Sequence, residues 1–462
     1  MTTDTAPRRS AASHDTRYAT HVNPQWVRLL DLLGMNVQYR RCIGDELWAD
    51  DGTRYLDFLS GYCVYNIGHN HPRLVAELQA ELGRGGPAML QSHVAELAGE
   101  LAAALCARAG GRLNKVYFCS SGSEGIETVI KFSRARTGRD RLLFAAGAFH
   151  GLTCGALSLM DTSFWTDGFG PLLPGTDAVP FGDVEAIARM LETRRYAAVV
   201  LEPVQAEAGI RVPAPGFLRD VQRLCERTGT LLVLDEVQTG FHRTGTFLAA
   251  QRYGVEPDMV VLAKALSGGL VPVAAVLMSD AVFDSVYNSA PRAFVHASTF
   301  GENRLAMRAG LVTLDILRDE ELGARSEALG AWLRSELTQA LRPYEMVAEV
   351  RGLGLLAGIA FRPPERLALR VPFGLFRKAH PALFGQMIVR HLFRRHQILT
   401  QICGNGFDVL KVAPPLIVQP ASLATFVGAM RDTMEQVHSS SGFWTDALAL
   451  AARAARDLTY RT

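Results

Sequence analysis

The middle of the chain shows the distribution of apolar residues that is typical of a buried sheet. Between about residues 73 and 307, short apolar runs alternate with stretches of helical length. Four of these runs are residues 115–119, 198–201, 231–234 and 259–262. Strands that are apolar along their whole length are buried on both faces, because helices cover the two sides of a parallel sheet. The pattern predicts an α/β domain built on a mostly parallel sheet flanked by helices.

The sequence after this region predicts a second, smaller α+β lobe. The periodicity is helical from residue 303 to 341, and apolar stretches follow at 346–360, 397–402 and 409–412. Residues 367–393 mix aromatic and basic side chains, and we predict that they form a packed helix rather than a binding site.

Changes in pattern along the chain also give the predicted domain boundaries. The first residues are polar and no apolar block follows them, so they are predicted to be a mobile leader rather than a signal peptide. The smaller domain is predicted to be formed by both chain ends. The divisions are a leader at 1–20, the N-terminal part of the small domain at 21–72, a large domain at 73–325, the C-terminal part of the small domain at 326–440, and a helical tail at 441–462.

Composition favours an enzyme that acts on small molecules. The 462 residues carry 48 basic and 46 acidic side chains, so no broad field attracts nucleic acid or an anionic membrane. No run approaches the roughly 20 apolar residues that span a bilayer. The seven cysteines are scattered, without spacing typical of disulfides or a metal site. We therefore expect a cytoplasmic protein with no metal, no nucleic-acid partner and no membrane span.

Lys264 is the first candidate for chemistry. The chain contains only five lysines, and this one follows the apolar run 258–263 and precedes the Gly-rich segment 265–270. A lysine that forms a Schiff base with a carbonyl compound needs a partly desolvated amine, which lowers its pKa and leaves it nucleophilic. A surface lysine at a strand end is the alternative for this residue taken alone.

Asp235 strengthens the case for Lys264, because it ends the apolar run 231–234. An acid at the carboxyl end of a strand faces the crevice where α/β proteins bind ligands. Such a carboxylate keeps the ring nitrogen of pyridoxal phosphate (PLP) protonated, which makes the ring a strong acceptor of electrons. In the alternative interpretation, Asp235 only caps the turn that follows it.

The third element is the segment 119–125, in which a strand passes through small residues into a helix. Backbone amides at a helix start, together with the hydroxyls of Ser121 and Ser123, are suited to bind a phosphate group. Serine and glycine before a glutamate also describe an ordinary capped helix. The order of phosphate loop, acid and lysine favours the site.

With these three elements, the sequence resembles the class III aminotransferases of the acetylornithine, ornithine and ω-amine type, which have PLP fold type I. The resemblance extends from about residue 23 to 417. It also includes concordant motifs, none of them specific alone. These motifs lie at residues 66–72, 149–151, 202–209, 298–301, 351–354 and 413–416.

The resemblance implies PLP as the cofactor, with Lys264 and Asp235 as the catalytic residues. It implies that Phe149 and Val237 lie on the two ring faces, although packing in the core is the alternative for both. Glu202 becomes a second acid outside direct contact with the ring. The cofactor site implied in this way consists of Ser121, Gly122, Ser123, Phe149, His150, Glu202, Asp235, Val237, Gln238, Lys264 and Thr299.

Two implications concern the partner subunit and the substrate. Thr299 matches a residue that reaches the phosphate of a neighbouring subunit, so the resemblance implies a homodimer with sites at the interface. Many members carry an arginine where this chain has Lys411, and lysine lacks the planar fork that binds a carboxylate bidentately. Glu207 is expected to face Lys411. Tyr62 and Cys63 fall at substrate-pocket positions, with core packing as an equal alternative.

The implied reaction moves an amino group from a donor, glutamate or an ω-amine, to an aldehyde or ketone by a ping-pong mechanism. The resemblance extends to members in specialised or hopanoid-type metabolism. The same scaffold supports racemase, aminomutase, decarboxylase and carbon–carbon bond-forming enzymes, because the pocket selects which bond breaks. A non-catalytic scaffold is the remaining alternative, and the joint presence of Lys264 and Asp235 argues against it.

Overall fold

The first described residues form three helices and three short strands. The computed structural model describes residues 16–90, 92–379, 381–439, 442–445, 448 and 450. The predicted leader lies outside the described residues up to position 15, and so does most of the predicted tail at 441–462. The N-terminal elements are α1 (Thr16–His21), α2 (Pro24–Leu33), β1 (Tyr39–Ile43), β2 (Glu46–Ala49), β3 (Arg54–Asp57) and α3 (Ser60–Cys63).

A seven-stranded sheet forms the centre of the molecule. Its strands are β4 (Lys115–Cys119), β5 (Arg141–Ala145), β6 (Thr176–Val179), β7 (Tyr196–Leu201), β8 (Leu231–Asp235), β9 (Met259–Leu262) and β10 (Ala274–Met278). Their order in the sheet is β4-β10-β9-β8-β7-β5-β6. Strand β10 is antiparallel to both of its neighbours, and the other pairs are parallel. The predicted mostly parallel sheet is confirmed.

Helices cover both faces of this sheet. Alternate side chains of β7 enter two different core clusters, with Val199 and Leu201 in one and Ala198 and Val200 in the other. This burial on two faces explains why the strand is apolar throughout. The helices of this region are α4 (Pro72–Gly83), α5 (Glu96–Ala109), α6 (Gly122–Thr137), α7 (Cys154–Leu157), α8 (Ser163–Thr166), α9 (Val184–Glu192), α10 (Phe217–Thr228), α11 (Ala249–Tyr253), α12 (Asp280–Phe283) and α13 (Arg304–Asp319).

The rest of the chain builds two smaller sheets with helices beside them. Strands β1, β2 and β3 are extended by β13, which pairs parallel to β3, so the two chain ends share one sheet. The other sheet has the order β11-β12-β15-β14. The predicted fold class is confirmed, whereas the domain boundaries stay predictions. The elements are α14 (Leu322–Leu341), β11 (Val347–Leu353), β12 (Leu356–Phe361), α15 (Leu367–Ala379), α16 (Leu383–His396), β13 (Ile398–Leu399), β14 (Gln401–Ile402), β15 (Val409–Val412) and α17 (Pro420–Ser439).

The prediction of one packed helix over 367–393 is wrong in the number of helices. The segment forms two helices, α15 and α16, with Pro381 between them. Phe373 and Phe384 are buried as expected, but Leu367 is 73% exposed. No helix in the described ranges has the length and apolar character needed to cross a membrane.

Arg243 joins the central sheet to both chain ends. Its side chain is completely buried in the loop that follows β8. One terminal nitrogen donates to the carbonyl oxygens of Leu355, at 3.0 Å, and Pro414, at 2.6 Å. The other donates to the Asn66 side-chain oxygen at 2.6 Å and the Ser60 hydroxyl at 3.4 Å. Residues from three distant parts of the sequence are therefore held by one guanidinium.

We predict that Arg243→Met lowers the free energy of unfolding by about 3–5 kcal/mol, because buried acceptors lose their donor. Urea denaturation followed by circular dichroism measures the change. Arg54→Met is the matched control, since Arg54 pairs with Glu46 on the surface and is 61% exposed, and its loss is expected to cost at most about 1 kcal/mol. Equal losses in the two variants would contradict the joining role of Arg243.

Candidate active site

A cavity of about 440 Å³ opens at the carboxyl edge of the central sheet. Parallel strands deliver the residues that follow them to the same edge, which is where α/β proteins bind ligands. The volume is in the range of small-molecule sites. Ten predicted site residues line this cavity: Ser121, Gly122, Ser123, Phe149, His150, Glu202, Asp235, Val237, Gln238 and Lys264.

Lys264 follows β9 and begins a short 3₁₀ turn over Lys264–Ser267. Its φ angle is 46°, a left-handed conformation that is uncommon outside glycine. Among the described residues, the Lys264 amine has neither a hydrogen bond nor an ion pair. Burial lowers the pKa of this amine, and the negative charge of Asp235 opposes that effect in part. A larger share of the amine is therefore unprotonated and nucleophilic near neutral pH.

Asp235 is held in place by two neighbours. One carboxylate oxygen lies 2.8 Å from His150 Nδ1, and the other accepts the Val237 backbone N–H at 3.1 Å. The side chains of His150 and Asp235 are 0% and 5% exposed. Burial alone lowers the pKa of His150, but the hydrogen bond and charge of Asp235 outweigh it and raise that pKa. The carboxylate is thus fixed in orientation at the cavity wall.

Glu202 is a second acid in the same wall. Its two oxygens accept the backbone N–H groups of Phe149, at 3.0 Å, and Ala206, at 3.1 Å. Burial raises the pKa of Glu202 to about 7, and the nearby charge of Asp235 acts in the same direction against the opposing effect of His150. By accepting the Phe149 N–H, Glu202 fixes the loop that presents the Phe149 ring to the cavity.

The loop after β4 forms a tight cradle at the start of α6. The Ser121 hydroxyl accepts the Glu124 N–H at 3.3 Å, and the Glu124 carboxylate accepts the Ser120 N–H at 2.9 Å. This reciprocal capping agrees with the alternative that the segment is an ordinary capped helix. The start of the same helix also borders the cavity. A Cβ added to Gly122 lies 3.1 Å from Val237, so a larger residue displaces the cavity wall.

These features fit PLP. The helix start offers amides and a favourable dipole for a phosphate group. The Asp235 carboxylate suits a protonated ring nitrogen, and Phe149 offers an aromatic face. The buried Nε2 atom of His150 has no hydrogen-bond partner among the described residues, which marks a polar position that a ligand can satisfy.

Glu207 and Lys411 face each other in a buried cluster next to the cavity. The Lys411 amine is completely buried and donates to Glu207 Oε1 and, at 3.3 Å, to Gln238 Oε1. Gln238 Nε2 donates to Glu207 at 3.0 Å, and the Gly404 N–H donates to Oε2 at 2.8 Å. Burial alone lowers the pKa of Lys411, but Glu207 raises it above its usual value. The Lys411 amine also lies 5.2 Å from the centre of the Tyr62 ring.

The last two predicted residues lie elsewhere. Cys63 is buried in a small apolar cluster with Val204 and Cys403, which agrees with the core-packing alternative. Thr299 is outside the cavity and lines a separate groove of about 690 Å³, beside Phe294.

Sequence reasoning missed Trp165 and Asn405. The Trp165 indole N–H donates to the Asn405 side-chain oxygen at 2.6 Å, and the Trp165 ring meets the Phe149 ring edge to face at 5.2 Å. Trp165 lies in the short helix α8 and Asn405 in a loop 240 positions away, so no periodic pattern in the sequence predicts their contact.

A further cluster, at α16 and α17, was not predicted either. His391, His396 and Asp432 bring three possible ligand atoms within 4.8 Å of one another. Asp432 already accepts from His396 at 2.9 Å and from Arg395 at 3.1 Å. These contacts describe an ion-paired network between two helices.

The chain matches one protein family over most of its length. A model of the family described as aminotransferase class III matches residues 33–434. Among curated proteins, aminotransferase PigE from Serratia sp. is 34% identical over 459 residues, which cover 92% of this chain and 54% of PigE. Putrescine aminotransferase from Pectobacterium atrosepticum is 34% identical over 413 residues, covering 87% of this chain and 83% of that protein. The chain thus spans about half the length of PigE.

A solved structure of an aminotransferase has a similar fold. Ornithine aminotransferase from Toxoplasma gondii, described with partial occupancy of PLP at its active site, aligns with a TM-score of 0.78 at 28% identity. The alignment covers 87% of this chain and 90% of that chain.

The raised pKa of Glu202 predicts a pH dependence of stability. Its folded pKa of about 7 exceeds the ordinary 4.5 of the unfolded chain, so the folded state binds an extra proton between these values. The free energy of unfolding therefore falls as pH rises through this window, by up to about 1.4 kcal/mol per pH unit.

We expect Glu202→Gln to remove this contribution, since an amide does not titrate. Urea unfolding between pH 5 and 8 compares the slopes, and the slope is informative even if the variant is less stable throughout. Parallel curves for the two proteins would show that Glu202 ionises at its ordinary pKa.

Proposed function

The chain belongs to the class III aminotransferases, whose cofactor is pyridoxal phosphate, and from this premise we propose that it transfers an amino group from a small-molecule donor to an aldehyde or ketone by a ping-pong mechanism. The family, the fold type and the cofactor predicted from the sequence are confirmed. The observation that carries the proposal is the convergence of Lys264, Asp235 and the α6 cradle on one cavity.

Lys264 supplies the base. Its amine lies in the cavity without a competing partner among the described residues, and burial keeps its pKa low. With the cofactor bound, the Lys264 amine would hold it and, when free and unprotonated, would take a proton from the donor carbon and return it elsewhere on the reacting group.

Asp235 supplies the counter-charge. Pyridoxal phosphate, when bound, provides a ring that takes up the electron pair left on the substrate carbon. Asp235 would hold the ring nitrogen protonated, and His150 and the Val237 N–H keep the carboxylate oriented. Ser121, Gly122 and Ser123 would bind the phosphate, while Phe149 and Val237 would exclude water from the ring.

Glu207 and Lys411 restrict the substrate. The Lys411 amine already donates hydrogen bonds to Glu207 and Gln238. The Glu207 oxygens also accept from the Gln238 side chain and the Gly404 N–H. A substrate carboxylate has to open this buried pair, and lysine offers only a point charge in return. The protein therefore prefers ω-amines, whose reacting carbon carries no carboxylate, over plain α-amino acids. The similarity to a protein named putrescine aminotransferase supports this preference.

The working unit is a homodimer in the cytoplasm. The groove around Thr299 is bordered by apolar side chains that are exposed in the single chain, with Phe294 67% and Leu90 58% exposed. A second copy covers this surface, and Thr299 then reaches the phosphate in the neighbouring cavity.

Borohydride treatment of the PLP-loaded protein tests the proposed function. We expect a pyridoxyl group fixed to Lys264, identified by peptide mapping. Lys264→Ala should retain some cofactor through the α6 cradle but lose at least roughly 10³-fold in amino transfer, because binding and proton transfer use different groups. Lys378→Ala, at an exposed lysine, is the control. An adduct on another lysine would overturn the assignment.

The net reaction separates the alternatives. A panel of donors and acceptors should give stoichiometric exchange of amine and carbonyl groups. Racemised, decarboxylated or carbon-extended products without exchange would assign the chain to another PLP reaction.

Lys411→Met tests the substrate restriction. We expect a selective rise of about tenfold in KM for a carboxylate-bearing partner such as glutamate, while KM for a diamine changes little, because only the carboxylate uses the lysine charge. Lys411→Arg retains the charge and checks that loss of packing is not the cause. Unchanged KM values for both partners in Lys411→Met would remove this residue from the substrate site.

A further inference from the structure

The loop between β14 and β15 is hydrogen-bonded to the loop that carries Phe149. Asn405 makes four hydrogen bonds in this region. Its backbone N–H donates to the Glu207 carbonyl at 2.8 Å, and its side-chain nitrogen donates to the carbonyls of Gly147, at 2.9 Å, and Ala148, at 3.3 Å. Its side-chain oxygen accepts the Trp165 indole N–H at 2.6 Å. Asn405 therefore fixes Trp165 relative to the cavity wall.

Trp165 lies beside two residues that border the substrate region. Its ring contacts the edge of Phe149, which lines the cavity. A Cβ added to Gly404 lies 3.2 Å from the Trp165 ring and 3.1 Å from the Glu207 carboxylate. Glycine at this position lets the indole and the carboxylate approach the same stretch of backbone.

Four aromatic side chains form a row from the cavity to the surface, namely Phe149, Trp165, Phe164 and Phe407. Trp165 meets Phe164 edge to face at 4.7 Å between ring centres, and Phe164 meets Phe407 at 6.3 Å. Phe164 is 65% exposed, so the row ends in solvent. Aromatic faces bind apolar groups over a large area at little cost in conformational freedom.

The charge next to this row is already neutralised. Glu207 is paired with Lys411, and its oxygens also accept from Gln238 and Gly404. A charged or polar substrate group that reaches Trp165 finds no free counter-charge on Glu207, so its desolvation is not compensated. An apolar group has no such desolvation cost there.

We propose that Phe149, Trp165, Phe164 and Phe407 form an apolar subsite for the part of the substrate remote from the reacting carbon, that Trp165 determines specificity in it, and that Asn405 is the residue that positions Trp165. The inference rests on the proposed function for the reaction itself. It assigns a substrate class, namely a carbonyl acceptor or amine that carries an aliphatic or aromatic chain.

A series of straight-chain aldehydes from propanal to decanal tests the subsite on the PLP-loaded enzyme. We expect kcat/KM to rise roughly two- to fourfold per added methylene until the row is filled. Trp165→Ala should flatten this rise through KM while kcat for propanal changes less than about twofold. Trp165→Phe should retain part of the rise, because it keeps an aromatic face but loses ring area and the N–H that donates to Asn405.

Matched variants separate the subsite from a structural role. Phe164→Ala should weaken only the long aldehydes. Phe169→Ala is the control, because Phe169 is in the same segment and equally exposed at 65% but has no ring contact among the described residues. Asn405→Ala should flatten the rise in part, as Trp165→Phe does, because both variants lose the same hydrogen bond. Asn405→Asp, which keeps the acceptor for the indole, should restore part of the rise. A chain-length dependence that is the same in wild type and Trp165→Ala would overturn the proposal.

A binding measurement without turnover makes the test independent of the reaction. Indole fluorescence of the holoenzyme is titrated with 1-butanol and 1-octanol, and the signal of Trp165→Phe is subtracted. We expect a saturable change with octanol at least tenfold below the concentration that butanol requires. A change with octanol but no amino transfer in wild type would contradict the proposed function alone. Amino transfer without any Trp165-dependent change would contradict the subsite alone.

Discussion

The site depends on charged groups that are buried where the central sheet meets the chain ends. A charge removed from water is tolerated only with close partners, so each one fixes the position of what surrounds it. Arg243 is held by carbonyl and amide oxygens from three parts of the sequence. Lys411 is held by Glu207, and Asp235 by His150. Through these contacts, the smaller sheets and the cavity keep one geometry.

Different surroundings give the two cavity acids different properties. Asp235 has a buried imidazole against one oxygen and a backbone N–H against the other, so its negative charge is compensated. Glu202 has two backbone donors, yet burial and the nearby Asp235 raise its pKa to about 7. One acid is thus suited to neutralise a cationic ring nitrogen, while the other arranges the loop that presents Phe149. The lysine amine opposite them is kept reactive by the same burial.

The sequence was most informative where one chemical requirement acts on consecutive residues. Burial on two faces makes β7, β8 and β9 visibly apolar, and the strand ends then locate Asp235 and Lys264. Strand β6 has the sequence Thr-Asp-Ala-Val and was not recognised, because its polar side chains obscure the pattern. The division between α15 and α16 is obscured by helical periodicity on both sides, and proline alone does not locate it, because Pro372 lies inside α15.

The parts of the site that were missed depend on residues far apart in the chain. The Trp165–Asn405 contact joins the short helix α8 to an irregular loop, and local propensity carries no signal for it. The complete burial of Lys411 was not predictable from its type, because lysine is usually exposed and only pairing with Glu207 offsets the cost.

The burial of Lys411 and Glu207 also determines how the selectivity proposed for them responds to salt. Mobile ions weaken attraction between exposed charges over a Debye length of about 8 Å at physiological ionic strength, but they scarcely reach a pair enclosed by protein. Discrimination that arises from opening this pair is therefore retained in concentrated salt, whereas any contribution from surface charges to substrate capture fades. The proposed choice of substrate is thus expected to be the same in dilute buffer and in concentrated salt.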